Sequence, residues 1–116
     1  SSGKVLAAFG DTESVLAAVD RQGFERRATR TITSMRSLRA ELDAVRARGY
    51  AESVEEAWPN MASIAVPVLT ADGAAVAAVS VAGSVERFDD AARQRAARRA
   101  LLTGRRLTAA LHEHHR

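Results

Sequence analysis

The stretch MASIAVPVLTADGAAVAAVSVAG, residues 61–83, constrains the fold most. It holds two runs of small and branched apolar residues hinged on Asp72-Gly73. Asp-Gly signals a two-residue turn, because Gly enters positive φ without steric cost, so the stretch predicts a β-hairpin. Side chains alternate across a strand. Met61, Ser63, Ala65 and Pro67 therefore share one face of the first strand, and Ala62, Ile64, Val66 and Val68 the other. On the second strand Val76, Ala78, Ser80 and Ala82 face one way, and Ala77, Val79 and Val81 the opposite way. Each strand has a branched face suited to a core and a small, serine-bearing face with room for something else. Pro67 cannot donate to a ladder, so it belongs at an edge or where its nitrogen faces away from a neighbour. A lone hairpin is hardly stable in water, so the rest of the chain must cover it.

Helical patterns supply the cover. Gly3–Ala8 is a short candidate. Asp11 or Thr12 can cap a second helix with Val15, Leu16 and Val19 on one side and Gly23 near its end. Residues 24–33 are polar and read as a connection. Ser34 can cap a third helix striped by Leu38, Leu42 and Val45, and Gly49 suits the left-handed position past its end. Tyr50–Ser53 reads as a short strand, and 54–60 as a loop holding Glu55, Glu56, Trp58 and Pro59. Residues 88–111 form the last helix, with Ala92, Ala96, Ala100, Leu107 and Leu111 on one side and Gly104 weakening its middle. The tail from His112 is expected to fray. The order is α+β with antiparallel connections, and helices on one face of a three-stranded sheet would suffice to hold it. Alanine supplies much of the apolar 47% and aromatics only 4%. Such a core is thin, and further strands upstream of Ser1 would complete it.

Composition removes several function classes. Cysteine is absent, so disulfides, thiolate metal sites and thiol nucleophiles are excluded. This fits a cytoplasmic protein. No run approaches the roughly 18 apolar residues of a membrane span, and no membrane partner is expected. Sixteen of the 17 basic residues are Arg, against 14 acidic ones, a net charge of only +3. That balance does not call for a dedicated nucleic-acid surface. Arg95, Arg98, Arg99, Arg105 and Arg106 share one side of the last helix, read as a solvated face balanced by Asp and Glu. Glu55-Glu56 has no nucleophile or base nearby and reads as a solvated pair. His112 and His115 read as tail rather than metal ligands. No catalytic residue, metal ligand or cofactor is assigned.

The ordered set of elements resembles a known family. Gly3-Lys4 opening a helix, Thr31-Ile32 before the Leu38/Leu42 helix, Arg48-Gly49-Tyr50-Ala51, Glu55-Glu56, Ile64-Ala65-Val66-Pro67-Val68 and Ala78-Val79-Ser80-Val81 with Gly83 carry the likeness. Together they resemble the C-terminal part of the effector-binding domain of the IclR family (isocitrate-lyase-regulator-like transcription factors). The resemblance implies a GAF-like fold. Residues 1–116 would be the C-terminal portion of the sensor, and the DNA-binding winged helix-turn-helix would lie outside them. It also implies a site between the start of the Gly-Lys helix, the acidic-pair loop and the small hairpin face. Carried over by position, its ligand-binding residues are Ser1, Ser2, Ser53, Met61, Ser63, Ser80 and Ala82. Ser53 stands where Asp is frequent in the family, Asn60 where Gly is usual, and Ala82 where a second Ser is frequent.

The chemistry of those residues suits a small carboxylate effector, aromatic acids included. Serine hydroxyls can donate to ligand oxygens, and Met61, Ala78 and Ala82 can contact an apolar part. The first N–H groups of a helix favour an anion. Taken alone, Ser63 and Ser80 read more readily as hydroxyls bonded within the sheet. Three functions compete: the sensor of a homo-oligomeric transcription factor that meets operator DNA through another domain, a stand-alone binding or dimerisation module, and an enzyme of organic acids. The last is weakest, for want of any nucleophile, base or metal cluster.

Overall fold

The computed structural model describes residues 2–22, 32, 34–56 and 58–114. Asp11 begins the helical layer: its Oδ1 accepts from Ser14 N at 3.2 Å. It caps α2 (Thr12–Gln22), which follows α1 (Ser2–Ala8). Helix α3 (Met35–Arg48) is capped by Ser34, whose hydroxyl accepts from Ser37 N, and ends on Gly49 at φ 88°. Both signals sit where the sequence places them. The Leu38/Leu42/Val45 stripe turns inward, with Leu42 and Val45 buried. Of the α2 face only Leu16 is buried; Val15 is exposed. Gly23 and most of the connection lie outside the described residues.

Three strands follow: β1 (Ala51–Val54), β2 (Met61–Leu69) and β3 (Ala75–Ser84). They form one antiparallel sheet in the order β1-β2-β3. The register keeps both predicted faces. Ser63 pairs with Ala82, Ala65 with Ser80 and Pro67 with Ala78; Ile64 pairs with Val81, Val66 with Val79 and Val68 with Ala77. Pro67 lies beyond Ala65, the last residue paired to β1. Two residues on, Leu69 donates its N–H to Thr108 Oγ1 at 3.1 Å. That stretch of β2 has lost one neighbour, and Pro67 is tolerated there.

The hairpin turn is wider than Asp-Gly alone predicts. β2 ends at Leu69 and β3 begins at Ala75, with a bulge at Val68/Leu69. Thr70 N bonds Ala74 O at 2.8 Å and Gly73 N bonds Thr70 O at 3.0 Å. Gly73 still takes the positive φ, 86°. The Thr70 hydroxyl, held by the Asp72 carboxylate, also meets Ala74 N, so it closes the loop by itself.

Helices cover both faces of the sheet, where one would have sufficed. On the small face, Ala51 and Ala65 pack with Val5, Ala7 and Ala8 of α1, and with Leu42 and Val45 of α3. On the branched face, Ala62, Ile64 and Val66 pack against Phe88 and Ala100. The latter belongs to α4 (Asp90–His114), which runs past His112 where fraying was expected. The contact line of α4 keeps the expected Ala92, Ala96 and Ala100 and departs from expectation beyond them. Leu107 is exposed, and Ala97, Ala100 and Gly104 are buried. Small residues let the helix approach closely: a Cβ on Gly104 would lie 3.0 Å from Pro67 O and 3.1 Å from Val66 Cγ2. Gly104 is therefore a seat for α4 and not a flaw in it.

Candidate functional site

The register assembles the site residues. Ser53 pairs with Ser63, and Ser63 with Ala82, so the three form one rank across all three strands. Ala51, Ala65 and Ser80 form the next rank on the same face. Met61, opposite Ser84, precedes them. The face is divided in use. Ala51 and Ala65 are sealed beneath α1, whereas Met61, Ser80 and Ala82 are exposed. Ser53 is a buried polar side chain, and Ser63 is half-buried and already engaged with a partner. The sheet thus offers an inner hydroxyl, an engaged one and an open margin.

Two elements bound this margin. The C-terminal end of α1 is fastened to the start of β3, where Ala75 N bonds Phe9 O at 2.9 Å. Lys4 fastens the first turn of α1 to β1, its Nζ lying 2.8 Å from Glu52 O. So α1 runs from the serine rank toward the hairpin turn and brings half-buried Ser2 toward that rank. Ser1 lies outside the described residues. The second boundary is the β1–β2 loop, held by Glu55 N to Met61 O at 2.8 Å and by Val85 N to Asn60 O at 2.9 Å. Asn60 has φ 62°, a left-handed conformation that Asn tolerates among non-Gly residues. That explains how Asn60 serves where Gly was expected. Trp58 of this loop is exposed, with 64% of its surface accessible.

Glu56 of the acidic pair is not solvated but ion-paired. Glu56 holds Lys4 at 2.7 Å, and the Lys4 side chain is only 12% exposed. Glu41 of α3 lies 3.6 Å from the same Nζ and 3.1 Å from Arg48 Nη2. Glu52, whose carbonyl receives Lys4, sends its carboxylate to Arg93 Nε of α4 at 3.0 Å. Charges of both signs therefore alternate from α3 through α1 and β1 to α4. The positions of Lys4 and Glu56 in sequence gave no sign of this pairing, because 52 residues separate them.

Other clefts lie on the α4 side. One of about 400 Å³ is walled by Phe9, Val66, Pro67, Leu69 and Leu101, with Arg105 and His112 at its edge. Another, of about 450 Å³, runs between β3 and α4 over Val79, Val81, Ala92 and Ala96. Neither is lined by a site residue assigned from the sequence. No group of His, Cys, Asp and Glu suited to a metal occurs among the described residues. No helix there is long and apolar enough to cross a membrane.

Comparison with known proteins gives the same reading of the fold. A family model described as "Bacterial transcriptional regulator IclR C-terminal" matches residues 1–109. The glycerol operon regulatory protein of Streptomyces coelicolor is 42% identical over 87 residues, covering 74% of this chain and 33% of that protein. The C-terminal domain of the Escherichia coli transcriptional regulator KdgR superposes with a TM-score of 0.82 at 33% identity, over 93% of this chain and 66% of that one. The inducer-binding domain of PobR from Acinetobacter, a double mutant in complex with 3-hydroxybenzoic acid, superposes with a TM-score of 0.82 at 32% identity, over 93% of this chain and 62% of that one. The chain spans about a third of the length of the curated relatives it matches.

Proposed function

The chain belongs to the IclR-type bacterial transcriptional regulators, matching their C-terminal part, and on that premise we propose that it senses a small organic acid. The relatives are regulators of transcription and not enzymes. The observation that carries the proposal is the Ser53–Ser63–Ala82 rank with Ser80 beside it, open at Met61 and Ala82 and bordered by α1. Hydroxyls there would receive a carboxylate, with Ser2 at the start of α1 and Ser1 before it in sequence as further donors, while Met61 and Ala82 would pack on an apolar body. The absence of a fixed negative charge at position 53 suits an anion. The double mutant of the PobR inducer-binding domain, in complex with 3-hydroxybenzoic acid on a similar fold, supports aromatic acids as the first class to test.

Binding would act by favouring one arrangement of subunits over another, since a ligand shifts an equilibrium only through its differential affinity. The chain would work as part of a cytoplasmic homo-oligomer. Operator DNA would be met by a winged helix-turn-helix outside residues 1–116. Isothermal titration with benzoic and hydroxybenzoic acids, and with small aliphatic keto acids, tests the reading. Ser63→Asp and Ser80→Asp each place a negative charge on the rank and should weaken the best binder at least about tenfold, or 1.4 kcal/mol. Unchanged affinity in both variants would move the site elsewhere.

A further inference from the structure

We propose that the solvent face of α4 is a docking surface for the phosphodiester backbone of duplex nucleic acid. Between Ala91 and His112 the chain has six Arg and no acidic residue. Arg93 turns inward to Glu52. The other five, Arg95, Arg98, Arg99, Arg105 and Arg106, are exposed. At 100° per residue they fall within about a third of the helix circumference, opposite the Ala97–Ala100–Gly104 seat. The sequence suggested a face balanced by nearby carboxylates. The structure gives none of these five an ion pair with a described residue: Asp90, the acidic residue of α4's first turn, goes to Arg93 and Gln94. Five unneutralised guanidinium groups on one rigid helix repel one another, and they persist at little cost only in water or against a polyanion.

The form of the stripe favours phosphate over an acidic protein. A protein interface is built on an apolar core with charges at its rim. Here Leu102 is the single large apolar residue on the line of the five Arg, and the apolar clefts that Arg95, Arg99 and Arg105 border lie to either side of it, toward the sheet. From Arg95 to Arg106 the stripe runs about 16 Å, at 1.5 Å per residue. That length is matched by about three to five phosphates taken from the two strands that flank a groove, since one strand winds away from a straight helix. Guanidinium forks bind phosphate oxygens in pairs. Contact of this kind carries no base information, so it would strengthen or orient binding without choosing a sequence.

The test is fluorescence anisotropy of the 116-residue chain with a labelled duplex of mixed sequence, about 20 base pairs long, across a KCl series. Three to five phosphate contacts predict a slope of log K against log salt of about −3 to −4.5. The variant R95Q/R99Q/R106Q should flatten the slope by about 2.7 and weaken binding more than about tenfold at the lowest salt. R21Q/R36Q/R87Q, of equal net charge and also exposed, should bind as the parent does; circular dichroism of both variants checks that neither has unfolded. The proposal is overturned by no binding at about 50 mM salt, where such contacts are strong, or by equal loss in both variants, which would reflect net charge alone. Poly-glutamate displacing the duplex as well as unlabelled duplex does, at equal charge, would overturn it in favour of an acidic protein partner.

Discussion

Replacing Gly104 with Ala separates two effects that oppose each other. In the middle of the 25-residue α4, Ala is favoured over Gly by about 1 kcal/mol through backbone entropy. Against this stands the seat on β2. The new Cβ would lie 3.0 Å from Pro67 O and 3.1 Å from Val66 Cγ2, so helix and sheet must part by several tenths of an ångström. Overpacking of this kind costs about 1–3 kcal/mol, and one of the two neighbours is backbone, which cannot rotate away. The expected net is a loss of about 1 kcal/mol, read as a lower urea midpoint at unchanged m. Val66→Ala removes the Cγ2 obstacle, so in that background Gly104→Ala should cost less, a coupling of about 1 kcal/mol in a double-mutant cycle. If Gly104→Ala raised the midpoint in the parent chain, propensity would be acting alone, and the close approach of α4 to β2 would be refuted.

Three further outcomes follow from the same geometry. Ile64 is fully buried between β2 and α4, so Ile64→Ala should lower stability by about 2–4 kcal/mol in urea unfolding; a loss under 1 kcal/mol would mean that face is loosely packed. Lys4→Met removes the 2.7 Å ion pair to Glu56 and the bond to the Glu52 carbonyl; partial exposure of the pair reduces the cost to about 1–2 kcal/mol in urea unfolding, and a loss under about 0.5 kcal/mol would mean that Lys4 does not fasten α1 to β1. Asp11 is held below its ordinary 3.8 chiefly by the hydroxyl of Ser14, then by its N–H. A carboxyl with a depressed folded pKa stabilises above its unfolded pKa and loses that contribution as pH falls through the folded value. The urea midpoint should thus fall below about pH 4 in the parent, and Asp11→Asn should remove that part of the fall.

What could be read from the sequence was local or periodic. Ser34 and Gly49 bracket α3 because a cap needs only a side chain in reach of the next turn and a residue free to take positive φ. The two hairpin faces follow from a period of two, and the register of Ser63 against Ala82 needed only that the strands be antiparallel. Features set by distant partners were not legible. Lys4 and Glu56 meet only because α1 lies across β1. The turn at Asp72-Gly73 widened because Thr70 supplies its own closing bonds. The contact line of α4 follows the expected Ala92, Ala96 and Ala100 and leaves it at Leu107, where Gly104 takes the contact instead. A helix that approaches a sheet closely does so through its smallest side chains, so the wheel had to be read for Gly104 and not for Leu107.

The same distant pairings decide how occupancy of the serine rank could be felt elsewhere. Ser53 on the rank is followed two residues on by Glu55, whose N–H holds Met61, and preceded by Glu52, whose carboxylate holds Arg93 of α4. The carbonyl of Glu52 also receives Lys4, and Lys4 holds Glu56 and approaches Glu41 of α3. A ligand that drew Ser53 or Ser2 toward itself would strain β1 or α1 near the points where Lys4 and Arg93 fasten them to α3 and α4, while Arg46 of α3 holds the far end of α1 at Ala8 O. Packed alanines beneath α1 cannot take up such a strain gradually, because close-packed interiors shift between discrete arrangements. If the proposed ligand binds at the rank, a change in which carboxylate Lys4 and Arg93 hold would carry its effect more readily than bending of the sheet. In this fold α4 would report the bound state, since it carries Arg93 on one side and, on the other, the Arg stripe that no described residue pairs.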